Sequence, residues 1–327
     1  MKRILEKRET GVFLIILILV VGISLYSPNF LTKTNILNIL VNNMPLAIVS
    51  VGMTYVIITG GIDVSVAAQM MLSAMALSYF VFLPWASPIL AVLLALICGF
   101  LTGLLNGFLI AKFDVAPLII TLGTNSMIRG IILILTNGKW TMNLPDWFVS
   151  IGKPDSGVPM TIIYTVIIYV LGSLVLKYTS FGRSVYAYGG NVEAARRVGI
   201  RIQRTLLYTY TLQGICCGFA GLILLTILGN FQPSGSTGLE MTAIAAVVIG
   251  GTNILGGSGT LYGTALGVVL MGIIENVLVV AHVPTYYQKL VYGLIIIVAI
   301  SLDILRKRRA DSKQMLIDVK GEREDEI

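Results

Sequence analysis

A polytopic, all-α bundle of transmembrane helices is the fold this sequence predicts, with about ten spans, some broken or re-entrant. Three observations carry that reading. Of 327 residues, 56% are apolar and 12% charged, against about 25% charged in ordinary soluble domains. With a mean hydropathy of +0.88, the composition excludes a soluble enzyme and a disordered chain. At roughly 20 residues per crossing, the apolar residues furnish about nine spans, or eleven with the glycines counted. The apolar runs are also continuous, whereas a transmembrane β-barrel alternates. Finally, 27 of the 39 charged residues lie in three places: 1–9, 177–204 and 303–327.

Each charge cluster marks a side of the membrane. Lys2, Arg3, Lys7 and Arg8 precede the run 11–26, which lacks a small-residue cleavage site and so reads as a retained helix. Lys177, Arg183, Arg196, Arg197, Arg201 and Arg204 crowd the centre, and Arg306, Lys307, Arg308 and Arg309 open the tail. Positive loops stay cytoplasmic, which places all three clusters and both termini inside. Crossings are then expected at 11–26, 36–59, 64–83, 88–111, 115–136, 159–177, 205–228, 241–251, 260–281 and 286–305. Six precede the central loop and four follow it, the even numbers that two cytoplasmic ends require. The run 115–136 holds Pro117 and Arg129, and 241–251 is too short to cross alone; a broken or re-entrant helix would account for either. The loop 137–158, with Trp140 and Trp147, reads as external. Residues 1–10 form a cytoplasmic segment, 11–305 the membrane domain with a cytoplasmic loop at 178–204, and 306–327 a cytoplasmic tail.

Glycines supply the packing signals. Gly99, Gly103 and Gly107 recur every four residues, as do Gly263 and Gly267, leaving smooth stripes that let helices approach within the bundle. An internal echo pairs Thr59-Gly-Gly-Ile-Asp63 with Ile249-Gly-Gly-Thr-Asn253.

Several chemistries are missing. No phosphate-binding Gly-x-x-x-x-Gly-Lys-Ser/Thr loop exists, so the chain does not itself hydrolyse nucleotide. Cys98, Cys216 and Cys217 sit in apolar stretches without paired spacing, and His282 is the single histidine; neither a metal site nor a cofactor is expected. The basic residues abut spans with no interleaved aromatics, so no nucleic-acid partner is implied. Ionisable groups in or beside spans are few: Asp63, Arg129, Glu240 and Glu275. Ion-driven carriers need more, which points to an energy source outside this chain.

The most informative segment runs Phe181-Gly-Arg-Ser-Val-Tyr-Ala-Tyr-Gly-Gly-Asn-Val-Glu-Ala-Ala-Arg-Arg-Val-Gly-Ile200. Asn191 can cap a helix, Glu193, Ala194 and Ala195 suit its first turn, and Gly199 can end it. Arg196 and Arg197 would face solvent, either as a docking element or as a solvated loop. Glu-Ala-Ala-x-x-x-Gly resembles the signature by which permease subunits of ATP-binding-cassette (ABC) importers engage their ATPases. The wider string, together with Gly60-Gly-Ile-Asp-Val-Ser-Val66, Pro117-x-x-Ile-Thr-Leu-Gly-Thr124, Ile244-Ala-Ala-Val-Val-Ile-Gly-Gly-Thr252 and Gly256-Gly-Ser-Gly259, is similar to the ribose-type branch of simple-sugar permeases. Ala67 departs from that pattern, where many relatives carry glycine.

The resemblance implies a multi-pass inner-membrane permease, not an enzyme, importing a monosaccharide. It also implies a cytoplasmic ATP-binding subunit, an extracytoplasmic solute-binding protein and a second permease chain, in a homodimer or heterodimer surrounded by lipid. Arg183, Asn191, Glu193, Ala194, Ala195, Arg196, Arg197 and Gly199 would couple to the ATPase. A sugar pathway needs hydrogen-bonding groups and little fixed charge; its candidates are Asn42, Asn43, Thr54, Tyr55, Asp63, Ser65, Gln69, Thr121, Thr124, Asn125 and Asn276. Interhelical hydrogen bonding is the alternative for each, and Asp63 reads best as the cap of a restarting helix. The rival functions are an ABC permease for a nucleoside, a sugar-derived signal or a branched-chain amino acid, and an ion-coupled carrier.

Overall fold

The computed structural model describes residues 8–27, 29–153, 158–284, 287–288, 290–294, 297 and 301. Among them every regular element is helical, and the one extended contact is an isolated antiparallel bridge between Thr141 and Phe231. The chain divides into two compact units, 1–282 and 283–327. In the second, the described residues are helical at 287–288, 290–294, 297 and 301, and the Gln288 amide donates to the Val283 carbonyl (2.9 Å). The expected span 286–305 and the tail 306–327 fall largely outside the described residues.

The first unit holds α1 (Arg8–Tyr26), α2 (Lys33–Ile58), α3 (Val66–Phe80), α4 (Pro88–Phe113), α5 (Pro117–Thr136), α6 (Asp146–Val149), α7 (Met160–Tyr178), α8 (Ser180–Gly190), α9 (Val192–Arg197), α10 (Ile202–Leu228), α11 (Leu239–Ile249) and α12 (Leu261–Val280). Six of these, α2, α4, α5, α7, α10 and α12, are long and apolar enough to cross a membrane. At 1.5 Å per residue, α3 and α11 reach only about 22 and 16 Å, short of the roughly 30 Å hydrocarbon layer. Both adjoin an interruption of the bundle, at 59–65 and 250–260.

Two boundaries differ from the sequence reading. The run 115–136 is one continuous helix, because Pro117 occupies its first turn, where a missing N–H is harmless. The interruption lies instead between α2 and α3. The segment 181–190 also folds as a helix, although Gly182, Gly189 and Gly190 weigh against one; Thr179 caps its start by accepting from Gly182 N–H (3.1 Å).

The most extensive contact in the unit joins α4 to α10, and glycine makes it possible. A Cβ on Gly99, Gly103 or Gly107 would strike the backbone of Gly214, Tyr210 or Leu207 on α10, and one on Gly214 or Gly218 would strike α4 in return. Gly263 and Gly267 abut Gly250 and Ala246 in the same way, fastening α12 to α11. The glycine stripes thus serve packing within the chain. Two apolar clefts flank α7, one of about 500 Å³ lined by residues such as Leu40, Met44 and Tyr262, the other of about 350 Å³ lined by residues such as Leu96, Leu171 and Phe219.

Gly103→Leu is expected to destabilise the chain by about 3 kcal/mol, because backbone on the facing helix cannot yield. Gly123→Ala, at a helical site with open space around it, should be neutral or gain up to about 1 kcal/mol. Thermal unfolding of the two variants in detergent checks the contrast.

Candidate functional site

Three helix ends and one glycine loop meet at the interruption of the bundle. Helix α2 stops in a paired-hydrogen-bond cap: Gly60 N–H donates to Ile57 O (2.8 Å) and Gly61 N–H to Val56 O (3.1 Å), with Gly60 at φ +74°. Helix α11 ends identically, through Gly251 to Val248 (2.9 Å) and Thr252 to Val247 (3.2 Å), with Gly251 at φ +101°. These are Schellman caps, which favour glycine because the left-handed backbone burdens any Cβ. The echo in the sequence is therefore structural, but its register is Gly60 with Gly251, one residue from the alignment by letters.

Past the α2 cap the chain must satisfy its polar groups without a helix. Asp63 does this. Its Oδ1 accepts from the Ser65 N–H (2.8 Å) and the Ser65 hydroxyl (2.5 Å), and its Oδ2 from the Gln69 amide (3.2 Å). Thr121 of α5 accepts from the Val64 N–H (3.2 Å). Ser65 also accepts from Gln69 (2.7 Å) and from Asn106 of α4 (2.9 Å). Thr102 donates to the Gln69 carbonyl oxygen (3.0 Å), and Thr124 to that of Asn106 (2.7 Å). Asp63, Ser65, Asn106 and Thr121 are wholly buried. Asp63 thus closes the turn that leads into α3, whose N-cap is Ser65, inside a network that ties α3, α4 and α5 together.

Five pathway candidates, Asp63, Ser65, Gln69, Thr121 and Thr124, gather in this network. The others lie elsewhere. Tyr55 donates to Gly172 O (2.5 Å), Thr54 shares a 2.7 Å hydrogen bond with Thr264, and Asn276 exchanges hydrogen bonds with Asn35 (2.9 and 3.2 Å). Asn43 bonds within its own helix (2.8 Å), Asn42 is exposed, and Asn125 accepts from Arg129 (3.1 Å). Sequence reasoning passed over Thr102 and Asn106; both lie on the Gly99–Gly103–Gly107 helix, where small residues bring α4 close and a polar neighbour is easily read as incidental.

The basic segment is anchored on the same interruption. Helix α9 forms as its letters require: Asn191 accepts from Ala194 N–H (2.9 Å), and Gly199, at φ +84°, closes a third Schellman cap through Arg196 (3.0 Å), with Ile200 bonding Ala195 (3.1 Å). Ala195 is buried, while Arg183, Glu193, Ala194, Arg196 and Arg197 are exposed. Glu193 pairs with Arg196 at 3.4 Å, an exposed pair that adds little.

Helix α8 is fastened at both ends. Phe181 stacks on Tyr55 (centroids 6.0 Å apart) and meets Tyr208 edge-on (6.2 Å). Tyr186 donates to the Gly259 carbonyl (2.7 Å), and burial raises its phenol above the ordinary range, keeping it a neutral donor. Gly189 lies against Ile58 O and Gly257 N, while Gly257 N–H donates to Ile58 O (2.9 Å). Tyr188 packs on the cluster of Val56, Ile110, Leu206 and Tyr210. The end of α8 that leads into α9 thus touches the end of α2 at the interruption through main-chain atoms. Among the described residues no His, Cys, Asp or Glu group is arranged to hold a metal.

Asp63→Ala should cost about 3 kcal/mol, since it strands buried donors around a lost charge. Thr102→Val, which removes one hydrogen bond, should cost about 1 kcal/mol. Thermal midpoints of the two variants in detergent measure the difference.

Comparison with known proteins identifies the family. A family model described as branched-chain amino acid transport system / permease component matches residues 35–300. The chain is 39% identical to the ribose import permease protein RbsC of Bacillus subtilis (strain 168), over 93% of this chain and 94% of that one. It is 37% identical to the ribose import permease protein RbsC of Escherichia coli (strain K12), over 88% and 91%. To the L-arabinose ABC transporter permease protein AraH of Azospirillum brasilense it is 33% identical, over 92% and 89%. No solved structure matches. With most of its length matched, from the first long helix past the glycine loop, the chain belongs to the branched-chain amino acid transport system / permease component family.

Proposed function

We propose that this chain is the membrane-spanning permease subunit of an ABC importer that moves a monosaccharide inward across the inner membrane. The observation that carries the reading is the link from an exposed, arginine-bearing helix, α9, through α8 to the interruption between α2 and α3. Such a link lets an external ATPase act on the bundle. The ribose and arabinose names of the relatives support a monosaccharide over an amino acid, and the scarcity of intramembrane charge weighs against an ion-coupled carrier.

In this reading Arg183, Arg196 and Arg197 offer ionic contacts to the ATP-binding subunit, while Asn191, Ala195 and Gly199 hold α9 in shape. When the ATPase subunits close, α9 and α8 move together, and the push passes through Gly189, Gly257 and Ile58 to the α2–α3 interruption. Rigid-body motion of this kind switches a cavity between outward and inward access. The fastening of α8 by Phe181, Tyr186 and Gly189 supports treating it as one lever. The clefts beside α7 are too apolar for a sugar, which needs several polar partners; a pathway between two permease chains fits better, with a solute-binding protein delivering sugar at the outer end. About ten spans with both termini inside remain the topology that suits the charge clusters.

Membrane vesicles holding the complete transporter test the function. ATP-dependent uptake of radiolabelled D-ribose or L-arabinose is expected, and uptake of leucine in their place overturns it. Gly199→Asp, which forces a branched side chain into a left-handed cap at about 1–2 kcal/mol, is expected to leave insertion intact and cut sugar uptake at least tenfold while ATP hydrolysis continues. Normal uptake by that variant overturns the coupling role.

A further inference from the structure

The coupling path and the buried network leave one ionisable cluster unused. Arg129 stands on α5, and Glu240 in the first turn of α11. Thr121, Asn125 and Arg129 follow one another at four-residue spacing, which sets them on one face of α5. That face begins at the α2–α3 interruption, where Thr121 meets Val64, and climbs two turns to the guanidinium. Helix α10 runs from Ile202, beside α9, to Leu228, about 40 Å at 1.5 Å per residue. The loop 229–238 leaves the far end of α10, but α11 spans only about 16 Å and ends at the glycine loop beside α8. Glu240 and its partner Arg129, about 12 Å along α5 from Thr121, therefore lie partway along the bundle.

The pair itself is loosely closed. Arg129 Nη2 and Glu240 Oε2 stand 3.9 Å apart, with side chains 23% and 11% exposed. Both atoms are buried, and neither has a hydrogen-bond partner. The rest of the guanidinium is spoken for: Nε donates to Asn125 (3.1 Å) and Nη1 to the exposed Thr237 hydroxyl (3.4 Å). A purely structural ion pair in apolar surroundings would close to hydrogen-bonding distance, since an unsatisfied buried charge costs several kcal/mol. Here a donor and an acceptor are each held with spare capacity, 3.9 Å apart, beside an exposed threonine. A sugar hydroxyl is both acceptor and donor. It can accept from Arg129 and donate to Glu240 at once, completing both.

We propose that Arg129 and Glu240, with Asn125 and Thr237 at their edge, form a hydroxyl-recognition site for the transported sugar partway along the bundle, between the outer end of α10 and the α2–α3 interruption. The proposal rests on the monosaccharide function stated above and adds the residues that read the sugar within the membrane domain. Thr121, on the same face of α5, links the site to the interruption through Val64.

The test pairs protein variants with deoxy analogues in vesicles holding the complete transporter, with the binding protein saturated by each sugar. Rates of D-ribose uptake are compared with those of its monodeoxy derivatives in the wild type and in Arg129→Gln and Glu240→Gln. The hydroxyl read by the site shows itself as an analogue transported at least tenfold more slowly than ribose by the wild type. In both variants that ratio is expected to fall to within about twofold of one, because the group that the analogue lacks no longer has its partners. Equal losses for ribose and every analogue, with the wild-type ratios kept, overturn the site, as does full recovery of ribose uptake by the exchanged pair Arg129→Glu with Glu240→Arg, which is the mark of a structural ion pair. Arg129→Lys, which keeps the charge and removes the fork, gives the same reading of the ratio should the neutral variants fail to insert. Wild-type uptake keeps the two readings apart: changeless ratios beside normal wild-type ribose uptake sink this site alone, whereas a wild type that moves no sugar sinks the function and the site together.

Discussion

A chain surrounded by hydrocarbon can interrupt a helix only where other groups take up the backbone N–H and C=O that the interruption releases. The stretch 59–65 answers that demand with partners drawn from several helices. Its first three N–H groups fold back on α2, Val64 N–H goes to a threonine of α5, and Ser65 N–H to Asp63. The Ile58 carbonyl is taken by Gly257 N–H. Every neighbouring element is placed by this requirement. Thr121 needs α5 at the interruption, Gln69 and Asn106 bring α3 and α4 around the carboxylate, and the glycine loop of 253–259 must lie against the end of α2. Removing any of these leaves a buried polar group stranded.

The remaining architecture divides by stiffness. Helices α4 and α10 touch backbone to backbone along about three turns, a seam with no side chain to rearrange. Such a contact behaves as one body. Around the interruption the contacts are of a different kind: hydrogen bonds to single carbonyls, glycines at positive φ, and an aromatic stack between Phe181, Tyr55 and Tyr208. These can exchange partners without opening a cavity. The stiff seam and the adaptable junction lie side by side, so the proposed movement at α8 would have a fixed frame to work against.

Much of this was legible in the letters. Continuous apolar runs located nine of the helices, and Asn191 with Gly199 framed α9 because capping chemistry is local. Asp63 read as a cap, whereas it closes the turn just before the N-cap Ser65. The letters misled where tertiary contact outweighs local preference. Pro117 suggested a broken span, yet proline in a first turn disrupts nothing; three glycines hid α8, which is held by Tyr55, Gly259 and Ile58 rather than by its own propensity. Asn106 and Thr102 went unread since a buried network depends on residues far apart in sequence. Arg129 and Glu240 were visible as charges, but their spacing of 111 positions concealed that they face each other.

The junction between α8 and the glycine loop has a consequence for how such machines diversify. Gly189, Gly257 and Ile58 meet through main-chain atoms, and main-chain atoms are the same whatever the side chains nearby. In the proposed coupling, a stroke transmitted this way would carry no information about the cargo. The drive train can stay constant while the residues that greet the solute are exchanged, so one engine design is free to serve many loads.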